Sequence, residues 1–244
     1  MKYKKKNKRQ QSFGQAIGIL LIECDAPFVP GDVGNATTFD YPVRYKPIYG
    51  WTFEQLYTQD QSMKDKVIKM AQELEAEGVR AITGDCGYMA QYQEDLANAV
   101  DIPVFMSSLM QVPFISRMLK KGEKVGVLCA NSEGLADSLL RSVGIDESCP
   151  IAISGLEKKP HFNTTVVVED GNIDMELMEK EVVEAALELI ERDPSVKAIL
   201  LECSMLPPYS KAVQEATGLP VFDFITMIDH VYSSVVQRRY DGYM

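Results

Sequence analysis

An α/β fold made of two related halves, each a mostly parallel sheet flanked by helices, is what this sequence predicts. Three observations carry that prediction. Residues 80–105 (RAITGDCGYMAQYQEDLANAVDIPVF) align without a gap on residues 197–222 (KAILLECSMLPPYSKAVQEATGLPVF), at a constant offset of 117. Ala81/Ala198, Ile82/Ile199, Cys86/Cys203, Tyr92/Tyr209, Ala99/Ala216 and the closing Pro-Val-Phe are identical, and Asp85/Glu202 match in charge. Apolar runs of strand length alternate with segments of helical periodicity, the order that builds parallel sheets covered by helices. Finally, a 244-residue chain with 46% hydrophobic residues can supply the cores of two lobes, each of about 100 residues.

The elements follow in order. Residues 1–13 form a basic tail with Lys2, Lys4, Lys5, Lys6, Lys8 and Arg9, read as a disordered solubilising extension. The run AIGILLI (16–22) predicts a strand covered on both faces. The Gly/Pro/Thr/Asp-rich stretch 25–50, with GDVGNATTF, is read as a substrate loop without regular structure. A helical region begins at Thr52. Met63, Val67, Met70, Ala71 and Leu74 then mark one helix face, and Gly78 is placed as its C-cap. Residues 79–83 form the strand that leads to Cys86.

The second half repeats the order. KVGVLCA (124–130) is a strand, and Met178, Val182, Ala185, Ala186 and Leu189 mark a helix that ends before Pro194. Residues 197–201 form the strand that leads to Cys203. Residues 224–240 are an amphipathic helix expected to pack back on the first lobe. The lobes are therefore drawn as 14–112 plus 226–244, and 113–225. In such sheets ligands bind beyond the strand C-termini, where both repeat cysteines fall.

Composition excludes several function classes. Net charge is −10, and the chain beyond the basic tail stands near −16, which argues against nucleic acid as a partner. IGILLIEC is too short to span a bilayer and is interrupted by Glu23, so no membrane role is expected. Five cysteines without CxxC, and only His161 and His230, fit a reducing cytoplasm and argue against a metal site. The GxxG at 31–34 lacks the strand–turn–helix setting of a dinucleotide site, so no cofactor is read there.

The matched cysteines carry the chemistry. Abstracting a proton next to a carboxylate needs a nearby base, donors for the developing enolate, and an acid on the opposite face. A thiol can serve as either, because its ordinary pKa of about 8.5 is close to working pH and a helix N-terminus can lower it. Cys86 and Cys203 are the catalytic candidates. Cys24, Cys129 and Cys149 are read as packing residues, Cys24 at the edge of the cleft. Candidate substrate-binding groups are Asn35, Thr37 and Thr38 on the first loop, Asn131 and Ser132 after the second-half strand, Ser107 and Ser108, and Gly87 and Ser204 beside the cysteines. Strand alternation points Asp85 and Glu202 away from the thiols, toward salt bridges or helix caps. Arg44 is read as an exposed loop residue.

These features together (paired cysteines at equivalent strand ends, the loop GNATT, and a VGVL strand opening the second half) resemble the aspartate/glutamate racemase superfamily. That group includes cofactor-independent amino-acid racemases, hydantoin racemases, maleate isomerases and arylmalonate decarboxylases. The resemblance covers nearly the whole chain from Ile17. It implies one flavodoxin-like sheet per lobe, an active site in the cleft between them, and Cys86 and Cys203 as the acid/base pair. It implies an isomerase, a racemase or epimerase of the aspartate/glutamate type acting on a small carboxylate or amino-acid-like substrate without cofactor. The alternatives are a maleate-type isomerase, a hydantoin racemase, or a non-catalytic small-acid-binding protein. It also admits a homodimer. The sequence departs from the racemase pattern after each cysteine, with Gly87-Tyr88 in place of Asn-Thr, and Ser204-Met205-Leu206 in place of Thr followed by His or Glu.

Overall fold

The apolar run at Ile17–Leu21 forms strand β1, and the chain returns beside it twice. In this computed structural model, which describes residues 2, 4–5 and 8–244, β1 pairs with β2 (Val43–Pro47) and β3 (Ala81–Gly84). Strand β4 (Val104–Phe105) extends the sheet beyond β3. Lys6 of the basic tail lies outside the described residues. A second sheet holds β5 (Lys124–Cys129), β6 (Ile151–Gly155), β7 (Val196–Leu201) and β8 (Val221–Phe222). The strand orders are β2-β1-β3-β4 and β6-β5-β7-β8, and every pairing is parallel. The sequence repeat reappears as register: Ile82 sits opposite Val104, and Ile199 opposite Val221.

Strand alternation distributes the core. Ile17, Ile19 and Ala81 share a cluster with Phe224, Met227 and Ile228 of the helix Phe224–Val235. Leu20 and Ile82 point the other way, into a larger cluster with Val67, Ala71 and Leu74 of the helix Lys64–Ala76. That helix docks closely because Gly18 has no side chain. A Cβ there would lie 3.0 Å from Leu74 Cδ1 and 3.2 Å from Val79 Cγ2. Gly126 solves the same problem in the second half, where a Cβ would meet Leu189 and Val196 at 2.8 Å. The docked helix there is Met175–Arg192. Asp174 caps it by accepting from the Glu176 and Leu177 amides, and its predicted face is buried.

Two expectations change. The stretch 25–50 is not wholly irregular: it holds a 3-10 turn at Ala36–Thr38 and the edge strand β2. Its VRYKP sequence is half-buried and polar, so the apolar periodicity of a central strand is missing. Arg44 therefore lies on a strand and pairs with Glu77 at 2.9 Å. Strand β6 was likewise not foreseen, because IAISG is short and half-buried throughout.

The halves are tied by hydrogen bonds as well as by a shared apolar cluster. Tyr88 Oη donates to the Asn131 carbonyl at 2.6 Å and accepts from the Asn131 amide at 2.8 Å. Ser108 Oγ reaches the carbonyls of Leu201 and Glu202 at 3.2 Å. Gln111 donates to the Asp223 carbonyl at 2.9 Å. Among the described residues, no helix is long and apolar enough to cross a membrane.

Candidate active site

Strands β3 and β7 each run out at the junction between the halves and release a cysteine there. Cys86 opens a 3-10 turn at Gly87–Tyr92 that runs on into the helix Gln93–Ala99. Cys203 leads through a turn to Pro207–Tyr209 and the helix Ser210–Thr217. Both thiols line one cleft, and each residue is only 8% exposed. The aromatic wall is Phe28, Phe53 and Tyr88, and no Lys, Arg or His lines the cleft among the described residues. Among those residues, no group of three or more His, Cys, Asp and Glu could hold a metal ion.

The electrostatics differ from the expectation that helix N-termini would acidify the thiols. Burial pushes both cysteines well above the ordinary thiol range, and the nearby Glu202 carboxylate pushes them further. The Tyr88 amide beside Cys86 and the Met205 amide beside Cys203 pull the other way, but more weakly. Both sulfurs are therefore held as neutral thiols. Cys24 also lines the cleft, with its thiol raised to about 12, chiefly by burial.

Asp85 and Glu202 are not salt-bridged or capping, as alternation predicted. Both line the cleft and both are buried. β3 ends at Gly84 and β7 at Leu201, so neither acid belongs to a strand whose pleat would dictate its direction. Asp85 Oδ1 accepts from the Ile22 amide at 3.1 Å, which leaves Oδ2 without a partner. Glu202 has no hydrogen bond to either carboxylate oxygen. Asp32, a buried residue of the first loop, accepts from the Gly34 amide at 2.7 Å and leaves its other oxygen unpaired.

The two halves differ at this point in an instructive way. Glu202 Oε1 lies so close to the Gly87 backbone that a Cβ on residue 87 would stand 1.8 Å from it. The equivalent second-half residue is Ser204, whose hydroxyl donates to the Asp85 carbonyl. The shorter Asp85 turns back to β1 and leaves room for that serine, whereas the longer Glu202 reaches across to the first-half cysteine loop and requires glycine.

Burial raises Glu202 to about 8, with the Ala130 amide nearby opposing the shift without a well-formed hydrogen bond. Burial likewise raises Asp32 to about 8. The sign of the linkage follows. The folded state holds these protons more tightly than the unfolded chain, where carboxyls titrate near about 4. The contribution to stability is complete below that value and is lost as pH rises to about 8. The thermal midpoint is expected to fall between about pH 5 and about pH 8, and to fall less in Glu202→Gln. Scanning calorimetry across that range checks this, and a midpoint rising with pH would contradict it.

The other sequence-predicted site residues are placed as follows. Gly87 and Ser204 line the cleft. Asn35, Thr37 and Thr38 do not line it, since their side chains organise the loop itself. Asn35 Oδ1 accepts from Thr37, and Thr38 Oγ1 donates to the Asp32 carbonyl at 2.7 Å. Ser107 caps the turn that follows it, and Ser108 joins the halves. Asn131 caps its own turn, and Ser132 bonds to Glu157. Cleft residues that the sequence does not signal include Phe28, Phe53, Tyr88, Val166 and Glu169. No spacing rule points to them, because they come from loops and turns of both halves. Glu169 also accepts from the Asp25 amide at 3.0 Å, across the cleft edge.

Comparison with known proteins agrees with the two-sheet fold. Residues 47–228 match the family model described as Asp/Glu/Hydantoin racemase. Dimethylsulfoniopropionate lyase 7 of Emiliania huxleyi (strain CCMP1516) is 34% identical over 233 residues, covering 91% of this chain and 68% of that protein. The dimethylsulfoniopropionate lyase of Durusdinium sp. clade D is 32% identical over 225 residues, covering 88% and 73%. Among solved structures, a liganded mutant of arylmalonate decarboxylase superposes with a TM-score of 0.60 at 15% identity, covering 93% of this chain and 96% of that one. At that identity the likeness is one of fold.

Proposed function

This chain belongs to the Asp/Glu/Hydantoin racemase family, and from that premise we propose that it is a lyase that eliminates a sulfonium group from dimethylsulfoniopropionate. In that reaction a base takes a proton from the carbon next to the carboxylate. The carbon–sulfur bond breaks, its electron pair leaves on sulfur as dimethyl sulfide, and the new double bond makes acrylate. The first half of the chemistry is the α-proton abstraction for which a racemase scaffold is suited.

One observation carries the reading: the cleft that holds both thiols is walled by aromatic rings and acids, and among the described residues no basic side chain lines it. A second carboxylate, as in aspartate or glutamate, would find no cation there, and Arg44 is engaged with Glu77. A fixed positive charge fits those walls. The names of the relatives, at 32% and 34% identity, point the same way. One of the two thiols is the base. It acts as the thiolate, its own proton having passed to solvent before the substrate fills the cleft; burial raises the thiol most and the Glu202 charge raises it further, and the onium charge offsets the second of these. The other stays protonated and donates to the developing enolate.

Amino-acid racemisation remains a second reading, favoured by thiols from equivalent positions of the two halves lining one cleft. Proton NMR in heavy water separates the two. Acrylate and dimethyl sulfide appearing from dimethylsulfoniopropionate support elimination. Deuterium entering the α-position of amino acids or hydantoins, with no acrylate, replaces it by racemisation, and fumarate from maleate would replace it by cis-trans isomerisation.

A further inference from the structure

Glu202 stands out among the buried groups of this protein. It is fully buried, it lines the cleft, and neither of its carboxylate oxygens has a hydrogen-bond partner. Burying an acid with no donor is costly, and such groups concentrate where a ligand completes them. Asp85 and Asp32 are less exposed to this argument. Each keeps one backbone donor, and Asp32 does not line the cleft. Glu202, next to Cys203 in the chain, also crosses to the Cys86 loop, where its carboxylate lies against the Gly87 backbone. Its charge is felt by both thiols and by the Tyr88 hydroxyl.

The surroundings specify the missing partner. A primary ammonium would ask for several acceptors and would bring three N–H donors. A sulfonium or quaternary ammonium has no N–H and is recognised instead by Coulomb attraction and by ring faces. Phe28, Phe53 and Tyr88 supply those faces, and Phe53 meets Tyr88 edge-on with ring centroids 5.6 Å apart. The pairing of an acid without donors and an aromatic wall suits a cation without donors.

We propose that Glu202 is the specificity-determining residue of the cleft, the carboxylate that pairs with the onium centre of the substrate and selects it over neutral analogues of the same shape. The assignment rests on the elimination reading above and adds the group that recognises the charge. Docking the onium against Glu202 leaves the carboxylate end of a three-carbon acid free to reach the amides beside the cysteines. That places the intervening α-carbon toward the thiols. The same pairing offsets the repulsion that Glu202 exerts on a forming thiolate, so substrate charge and base activation are linked through one side chain.

The test uses two carboxylates of equal shape, β-trimethylammoniopropionate and 4,4-dimethylpentanoate, the carbon isostere whose head group is neutral. Direct calorimetric binding to the full chain at about pH 9, above the value of about 8 to which burial raises Glu202 so that its carboxyl is ionised, is expected to favour the ammonium ligand by roughly 30-fold or more. Glu202→Gln is expected to abolish that preference while leaving the affinity for the neutral isostere unchanged. Glu202→Leu, a second neutral substitution, is expected to do the same, and the retained affinity for the isostere reports that the cleft is intact. A preference that survives in either neutral variant, or that is absent from the wild-type protein, overturns the assignment. Acrylate release by the wild-type protein is measured in parallel. Charge preference lost on substitution, in a protein that releases no acrylate, would support the role of Glu202 and overturn elimination. Acrylate release with the preference intact in Glu202→Gln would do the reverse.

Discussion

Replacing Cys86 or Cys203 by alanine is expected to lower acrylate release by about a thousandfold or more, as losses of acid/base or nucleophilic residues typically do. The fold is expected to survive. Each substitution removes one buried sulfur, a deletion costing about 1 kcal/mol where neighbours partly collapse. Cys149→Ala, buried outside the cleft, is the control and is expected to keep full activity. The double variant is expected to be little worse than the single ones, because residues acting as a unit are not additive. Serine divides the roles. A hydroxyl donates as a thiol does but is far too weak an acid to be a base near neutral pH. The position that tolerates serine with a modest loss is therefore the donor, and the position that does not is the base. Steady-state kinetics of the four single variants settle this. Near wild-type kcat in both alanine variants would remove the thiols from the mechanism.

Much of this architecture is legible in the sequence because repetition and periodicity report backbone geometry. The offset between Cys86 and Cys203 returned as matching strand register, and the apolar faces at Val67–Leu74 spacing and at Met178–Leu189 spacing returned as buried helix faces. Edge strands escaped, since VRYKP and IAISG are half-buried and carry no core alternation. The site was legible only in part. Strand ends locate the thiols, but the cleft walls come from Phe28, Phe53, Val166 and Glu169, which are brought together by docking of the two halves. Asp85 and Glu202 were misdirected by a rule that holds inside a strand and lapses one residue after it. Asn35, Thr37 and Thr38 carry polar groups that suit a carboxylate, but the loop uses them on itself.

Gly87→Ala is expected to be the most disruptive one-methyl change in the cleft. An added Cβ would stand 1.8 Å from Glu202 Oε1 and 2.2 Å from its Cδ, distances that no side-chain adjustment short of displacing the carboxylate can relieve. Overpacking of this kind costs about 1–3 kcal/mol. The displaced carboxylate would also leave the position from which it faces Cys86 and the aromatic wall. Stability and charge recognition should therefore fall together, read as a lower thermal midpoint and a lost preference for the ammonium ligand. A double-mutant cycle separates the two effects. Glu202→Ala on its own removes the obstructing atoms, so in its presence Gly87→Ala should cost little stability, a coupling of the size seen between touching residues, about 0.5–3 kcal/mol. The ammonium preference should stay lost in the double variant, because the carboxylate itself is gone. If Gly87→Ala is as destabilising without Glu202 as with it, the crowding lies elsewhere in the cysteine loop. The glycine would then be serving the backbone, and the contact between the halves would not set it. The outcome decides whether the difference between Gly87 and Ser204, at equivalent positions of the repeat, records a place where the two halves had to diverge so that a single acid could reach the opposite cysteine loop.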